Sequence, residues 1–186
     1  YKGIERLKNS GKLVYASLGH MATSGGYYVA LNADKIYASK STLTGSIGVI
    51  SVFKNKQARN EFLGLEHETI KTGEFMDSLS QNREMDDKEK AMIQSFQEDQ
   101  YSVFIDKIKE NRHLTDAEAR DVGQGQLISG DEAKNIQLID EVGNFYDAID
   151  AMGKTLKLDD PEVVFLRTSQ PSFNFNWMSL LFQFFK

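Results

Sequence analysis

Apolar residues come in short runs broken by polar turns. Residues 12–18 (KLVYASL) run apolar up to Gly19 and predict a buried strand. A helix is predicted from about Ser24, with Gly25 and Gly26 in its first turn and Tyr27, Tyr28, Val29, Ala30 and Leu31 following. Residues 34–38 predict a second strand, and residues 47–53, entered through the turn Thr44-Gly45-Ser46, a third. Residues 55–63 suit a short helix and residues 65–70 another strand. Residues 73–85 are polar and aperiodic, hence a loop. Asp86 caps a long helix with Glu89 as its capping-box partner; Met92, Ile93, Phe96, Val103, Phe104 and Ile108 follow at near-helical spacing. Thr115 with Glu118, and Ser129 with Glu132, predict two further boxed helices. Residues 138–142 and 162–167 are strand-like, and 145–156 helical. Strands alternating with helices imply a layered α/β domain with largely parallel pairing. The predicted domain covers residues 1–168, followed by an aromatic tail over 169–186.

Composition narrows the function classes. A net charge of −5 without a basic face argues against a nucleic-acid partner. The absence of cysteine removes disulfides, thiolate metal sites and a thiol nucleophile. No His/Asp/Glu cluster has metal-ligand spacing, so no metal and no cofactor is expected. No apolar run reaches the roughly 18 residues that a membrane helix needs. The opening residues read as the end of an amphipathic helix, with Ile4 and Leu7 on one face, so the chain is expected to be a piece lacking its upstream part.

Ser24 is the most informative position. It stands between a predicted strand and a predicted helix and is followed by two glycines. Such a site suits a nucleophile: a helix start supplies unpaired N–H groups that favour a developing oxyanion, and glycine admits a substrate backbone. The same position suits an ordinary N-cap serine, and both readings stand at this point. Ala22 and Gly26 exclude the Gly-x-Ser-x-Gly elbow. The tail stretch Phe173-Asn174-Phe175-Asn176-Trp177-Met178, continuing to Lys186, suits docking on a subunit, in a groove or at a membrane interface.

Several ordered motifs resemble the signal peptide peptidase A family, peptidase family S49. They are Ala22-Thr23-Ser24-Gly25-Gly26-Tyr27-Tyr28, Ala33-Asp34-Lys35-Ile36, Thr44-Gly45-Ser46-Ile47-Gly48-Val49, and Ile70-Lys71-Thr72-Gly73 with Asp77. A further signature runs from Gly125 to Gly143 and includes Ser129-Gly130 and Leu138-Ile139-Asp140. The resemblance implies a ClpP/crotonase-like layered fold, with a mostly parallel sheet flanked by helices. It also implies a Ser/Lys dyad that degrades cleaved signal peptides. The family nucleophile falls on Ser24, and the serine that supports the base falls on Ser46. Gly25, Gly45 and Gly48 fall at oxyanion or substrate positions. The expected partners are hydrophobic signal-peptide-like peptides and further copies in a homo-oligomer. The full-length protein is expected to be membrane-associated, with this domain on the extracytoplasmic side.

One departure bears on activity. The family's Lys-Ser-Gly-x-x-Lys-Asp pattern reads Lys71-Thr72-Gly73-Glu74-Phe75-Met76-Asp77, so methionine holds the general-base position. A thioether accepts no proton at neutral pH, and the long unbranched side chain fills the space of a lysine stem. Lys71, His20, His67 and His113 are poorer candidate bases. The chain is therefore read as an inactive or inactivated peptidase. A silent peptide-binding or scaffolding homologue is the alternative, and a crotonase-like acyl-CoA enzyme is a more distant one.

Overall fold

The computed structural model describes residues 1–166. They belong to a main unit, Tyr1–Met152, and a second unit that begins at Gly153. In chain order the main unit has helix α1 (Lys2–Asn9), strand β1 (Tyr15–Leu18), helix α2 (Gly25–Ala30) and strands β2 (Lys35–Ala38) and β3 (Leu43–Gly45). Helices α3 (Gln57–Phe62), α4 (Asp87–Arg112) and α5 (Asp116–Asp121) follow. Strand β4 (Leu127–Ser129), helix α6 (Gly130–Asn135) and strand β5 (Glu141–Val142) come next, and helix α7 (Phe145–Leu156) starts in this unit and runs past Met152.

β1, β2 and β5 form a parallel sheet in that order, with Tyr15 opposite Lys35 and Ala38 opposite Val142. β3 and β4 pair separately and antiparallel, Thr44 facing Ile128. The expected α/β class, a mostly parallel sheet flanked by helices, is therefore present. Its core joins Ile36 and Ala38 of β2 to Tyr27 of α2, to Leu31 at the C-cap of that helix, and to Ile105 and Ile108 of α4. Tyr27 is fully buried, and its hydroxyl donates to the Leu138 carbonyl at 2.6 Å. Burial pushes that phenol well above its ordinary pKa. This one side chain thus fastens α2, and the residue just ahead of it, to the core.

Capping decided the helix starts largely as expected. Asp86 and Thr115 form complete capping boxes with Glu89 and Glu118. Ser129 forms only half of one, accepting from the Glu132 amide without the return bond. Ser129 is also the last residue of β4 and pairs with Leu43, so its backbone belongs to a ladder as well as to a cap.

Three predicted strands are absent. Residues 47–53 form none: Ile47 is buried, but Ile50, Val52 and Phe53 are exposed. The strand lies earlier, at β3, because Gly45 and Ser46 both take positive φ (76° and 48°) and turn the chain away from the ladder. Residues 65–70 are exposed and irregular, with Ile70 almost wholly in solvent. Both segments have strand-like composition, but the described residues offer them no neighbouring strand. Residues 162–166 are irregular, and Arg167, the domain boundary after 168 and the aromatic tail lie outside the described residues.

Candidate active site

The loop between β1 and α2 is tied along β3. Met21 bridges to Leu43, the Ala22 amide donates to the Leu43 carbonyl at 2.9 Å, and the Ser24 amide donates to the Gly45 carbonyl at 2.8 Å. The Thr44 hydroxyl adds a bond to the Ala22 carbonyl at 2.7 Å. These bonds hold Ser24 beside the Gly45-Ser46 turn, although Gly45 lies 21 positions further along the sequence. The turn is held in its own right. The Ser46 amide donates to the Gln126 carbonyl at 2.7 Å, and a Cβ at Gly45 would lie 2.6 Å from that same oxygen. Only glycine fits there.

Ser24 has φ 48° and ψ −115°, a conformation that residues bearing a Cβ rarely adopt. It occupies the N-cap position of α2, yet its side chain makes no capping bond. Its hydroxyl is not consumed as a helix cap. The Gly26 amide donates to the Thr23 carbonyl at 2.9 Å, whereas no hydrogen bond among the described residues engages the Gly25 amide. That exposed amide is available as an oxyanion donor.

Ser24 and Ser46 line one cavity of about 770 Å³. Gly48 and Gly125 approach closely at its side: a Cβ on Gly48 would lie 3.8 Å from the Gly125 Cα. Helix α4 supplies Gln94, Gln97, Glu98 and Tyr101 to the lining, while Arg120, Gly123 and Gln124 come from α5 and the turn after it. The apolar positions of α4, which define its helical period, give no hint of these polar lining residues. A signal was present: positions 94, 97, 98 and 101 follow the i, i+3, i+4, i+7 spacing of one helical face.

Met76 is not at this cavity. It sits on an exposed loop, 73% accessible, and does not line the space that holds the two serines. Lys71, His20, His67 and His113 are absent from the lining as well. Lys71 is ion-paired to Asp77 at 2.6 Å, the His67 ring contacts the Asn60 amide at 3.2 Å, and His113 ends α4 in a left-handed conformation. Within one chain the structure joins Ser24, Ser46 and the glycines at 25, 45 and 48, and leaves position 76 outside.

An ion-pair cluster holds the loop that carries Met76. Arg83 grips Glu89 with both terminal nitrogens and Asp77 through Nε at 3.0 Å; Lys71 takes the other Asp77 oxygen. The Glu89 side chain is only 1% exposed and also closes the α4 capping box by accepting from the Asp86 amide. The Arg83 bonds, then that amide, hold its carboxyl down at about 2; bonds from Arg83 and Lys71 hold Asp77 well below the usual carboxylate range. Both folded-state values lie below the unfolded ones, so the cluster stabilises fully above about pH 4.5, the ordinary value for a glutamate. Its contribution is lost as pH falls from there through about 2. Urea unfolding between pH 5 and 2 is expected to show the stability gap between the unaltered chain and Glu89→Gln narrowing across that window. A gap independent of pH would refute the ionic account.

Residues 6–159 match the model of peptidase family S49. The chain belongs to peptidase family S49. Its parallel sheet with flanking helices is the layered α/β class that the resemblance implied. Among curated proteins it is 30% identical over 177 residues to a putative signal peptide peptidase SppA of Enterococcus faecium, covering 95% of this chain and 52% of that one. It is 33% identical over 149 residues to Protease 4 of Salmonella typhi, covering 80% and 24% respectively. The chain thus spans about half, or less, of these relatives. A solved structure of the 1510-N membrane-bound stomatin-specific protease, a mutant in complex with a substrate peptide, aligns with TM-score 0.48 at 17% identity, covering 97% and 74%. An enoyl-CoA hydratase/isomerase family protein from Hyphomonas neptunium aligns at 0.44 and 16%, covering 84% and 42%.

Proposed function

We propose that this S49 chain carries the nucleophile side of a Ser/Lys peptidase site for signal-peptide-like peptides, silenced by methionine at the base position. Ser24 is the nucleophile position, Ser46 supports the base, and the Gly25 amide contributes to the oxyanion hole. Gly45 and Gly48 shape the substrate side. The observation that carries this reading is the strained, uncapped Ser24 on the wall of a cavity it shares with Ser46. A serine serving only as a cap would bond its helix, and its backbone would need no strain.

Position 76 reaches such a site from a second copy of the chain. Two observations support a homo-oligomer: the loop is clamped by the Arg83 cluster yet leaves Met76 exposed, and apolar Val52, Phe62, Ile70 and Leu79 are exposed as well. An apolar surface of this kind marks an interface. Among the described residues no helix is long and apolar enough to cross a membrane. Membrane attachment of the full-length protein, with this domain on the extracytoplasmic side, belongs to the same reading, because a relative's name points to signal peptides, whose apolar cores are membrane-borne.

With an amine at position 76, the neutral amine takes the Ser24 proton as Oγ attacks the substrate carbonyl. The resulting ammonium then protonates the leaving amine, and water releases the acyl group. Met76→Lys is therefore expected to raise cleavage of a fluorogenic apolar peptide by about 100-fold or more over the unaltered chain. Adding Ser24→Ala should return it to background. Peptide binding without cleavage in Met76→Lys would favour the silent binding homologue, the second reading, which Met76 itself supports. Neither binding nor cleavage would remove both.

A further inference from the structure

The cavity beside Ser24 has a charge character that the apolar substrate class leaves unused. Two ionisable side chains of opposite sign line it, Glu98 and Arg120. Arg120 is held by groups of its own: its Nε donates to Asp116 at 2.7 Å, a carboxylate it shares with Lys109, and its guanidinium lies 5.9 Å from the Tyr101 ring centroid. The Glu98 carboxylate accepts only from the Gln94 amide, at 2.9 Å, and no cation pairs with it among the described residues. Val49 and Ile50 line the same cavity with exposed apolar surface. An occupant that matches this lining carries an apolar stretch with one positive charge beside it.

We propose that Glu98 is a specificity-determining residue that selects peptides bearing a lysine or arginine side chain next to their apolar segment. The proposal rests on the peptide-site reading above and deepens it. A basic side chain entering beside Glu98 meets an acid with no competing cation, while an acidic one there meets like charge. The pair stays partly in solvent, so the gain is modest. About five-fold in affinity for lysine over the neutral isostere is the expected scale.

The test uses the chain as it stands, since Met76 permits binding to be measured without turnover. Three labelled apolar peptides, identical except for Lys, Gln or Glu at one central position, are titrated by fluorescence anisotropy at low salt. The expected order is Lys tightest and Glu weakest, with the Lys/Glu ratio collapsing in Glu98→Gln and inverting in Glu98→Lys. Asp99→Asn removes the same charge one residue away, outside the cavity lining, and should leave the ratio in place. Equal binding of all three peptides to the unaltered chain would overturn the role of Glu98 while leaving the peptide site intact. Loss of the ratio in Asp99→Asn as large as in Glu98→Gln would do the same, by tracing the preference to overall charge. No binding of any peptide overturns the site reading and this inference together.

Discussion

Gly130→Ala is expected to cost about 3 kcal/mol or more of folding stability, at or above the upper end for overpacked positions. A Cβ there would press into the Ser39 carbonyl oxygen, and would lie 3.1 Å from the Ser39 carbonyl carbon and 3.2 Å from the Ala38 Cβ. The obstacle is largely backbone, just past the end of β2, so no rotamer change relieves it. The start of α6 would have to retreat from the sheet and take β4 with it. That motion reaches the site, because Gln126, just before β4, holds the Ser46 amide. With a urea dependence of roughly 1–3 kcal/mol per molar, the unfolding midpoint should fall by about 1 M or more. Gly3→Ala is the contrast: nothing lies within 4 Å of its added carbon, and it sits in an exposed helix. It should leave stability unchanged or raise it by about 0.5–1 kcal/mol. A midpoint for Gly130→Ala close to that of the unaltered chain would show that α6 does not abut β2 as described.

Ser24→Gly is expected to stabilise the fold while removing whatever chemistry the hydroxyl performs. The φ of 48° with ψ of −115° costs a residue with a Cβ about 1–3 kcal/mol, and glycine escapes that cost. Glycine's greater freedom in the unfolded chain takes back about 0.5–1 kcal/mol, leaving a net gain on the order of 1 kcal/mol. Ser24→Ala keeps the Cβ and the strain, so it should lose the hydroxyl without that gain. The pair of variants separates the two ideas about this serine. For an ordinary N-cap, alanine would cost about 1 kcal/mol and glycine a few tenths, so neither would stabilise. Thermal unfolding reads the difference: a gain of 1 kcal/mol corresponds to about 2–4 °C in a domain of this size. In the Met76→Lys background both variants should abolish peptide cleavage. A stabilised Ser24→Gly that still cleaved would place the nucleophile elsewhere.

Much of this protein was legible from residue order because the signals are local. Asp86 with Glu89, and Thr115 with Glu118, close their boxes within one helical turn, so four residues suffice to mark each start. Residues 145–156 form α7 as their spacing predicts. The motif around Ser24 led to the right family because several short patterns occur in the right order. The strands at 47–53 and 65–70 failed because apolar content says a segment favours burial, not that a partner strand lies beside it.

By itself, then, the chain determined its helix caps, its α/β class, its family and the absence of a basic group at 76. Folding alone decided that Ser24 is strained and uncapped, that Ser46 joins it across β3, and that α4 turns Glu98 into the cavity wall while Met76 points elsewhere. The physical reason is range. Caps and helical periods are interactions among neighbours, whereas a cavity is made by backbone bonds and packing between segments tens of residues apart, whose geometry no local pattern encodes.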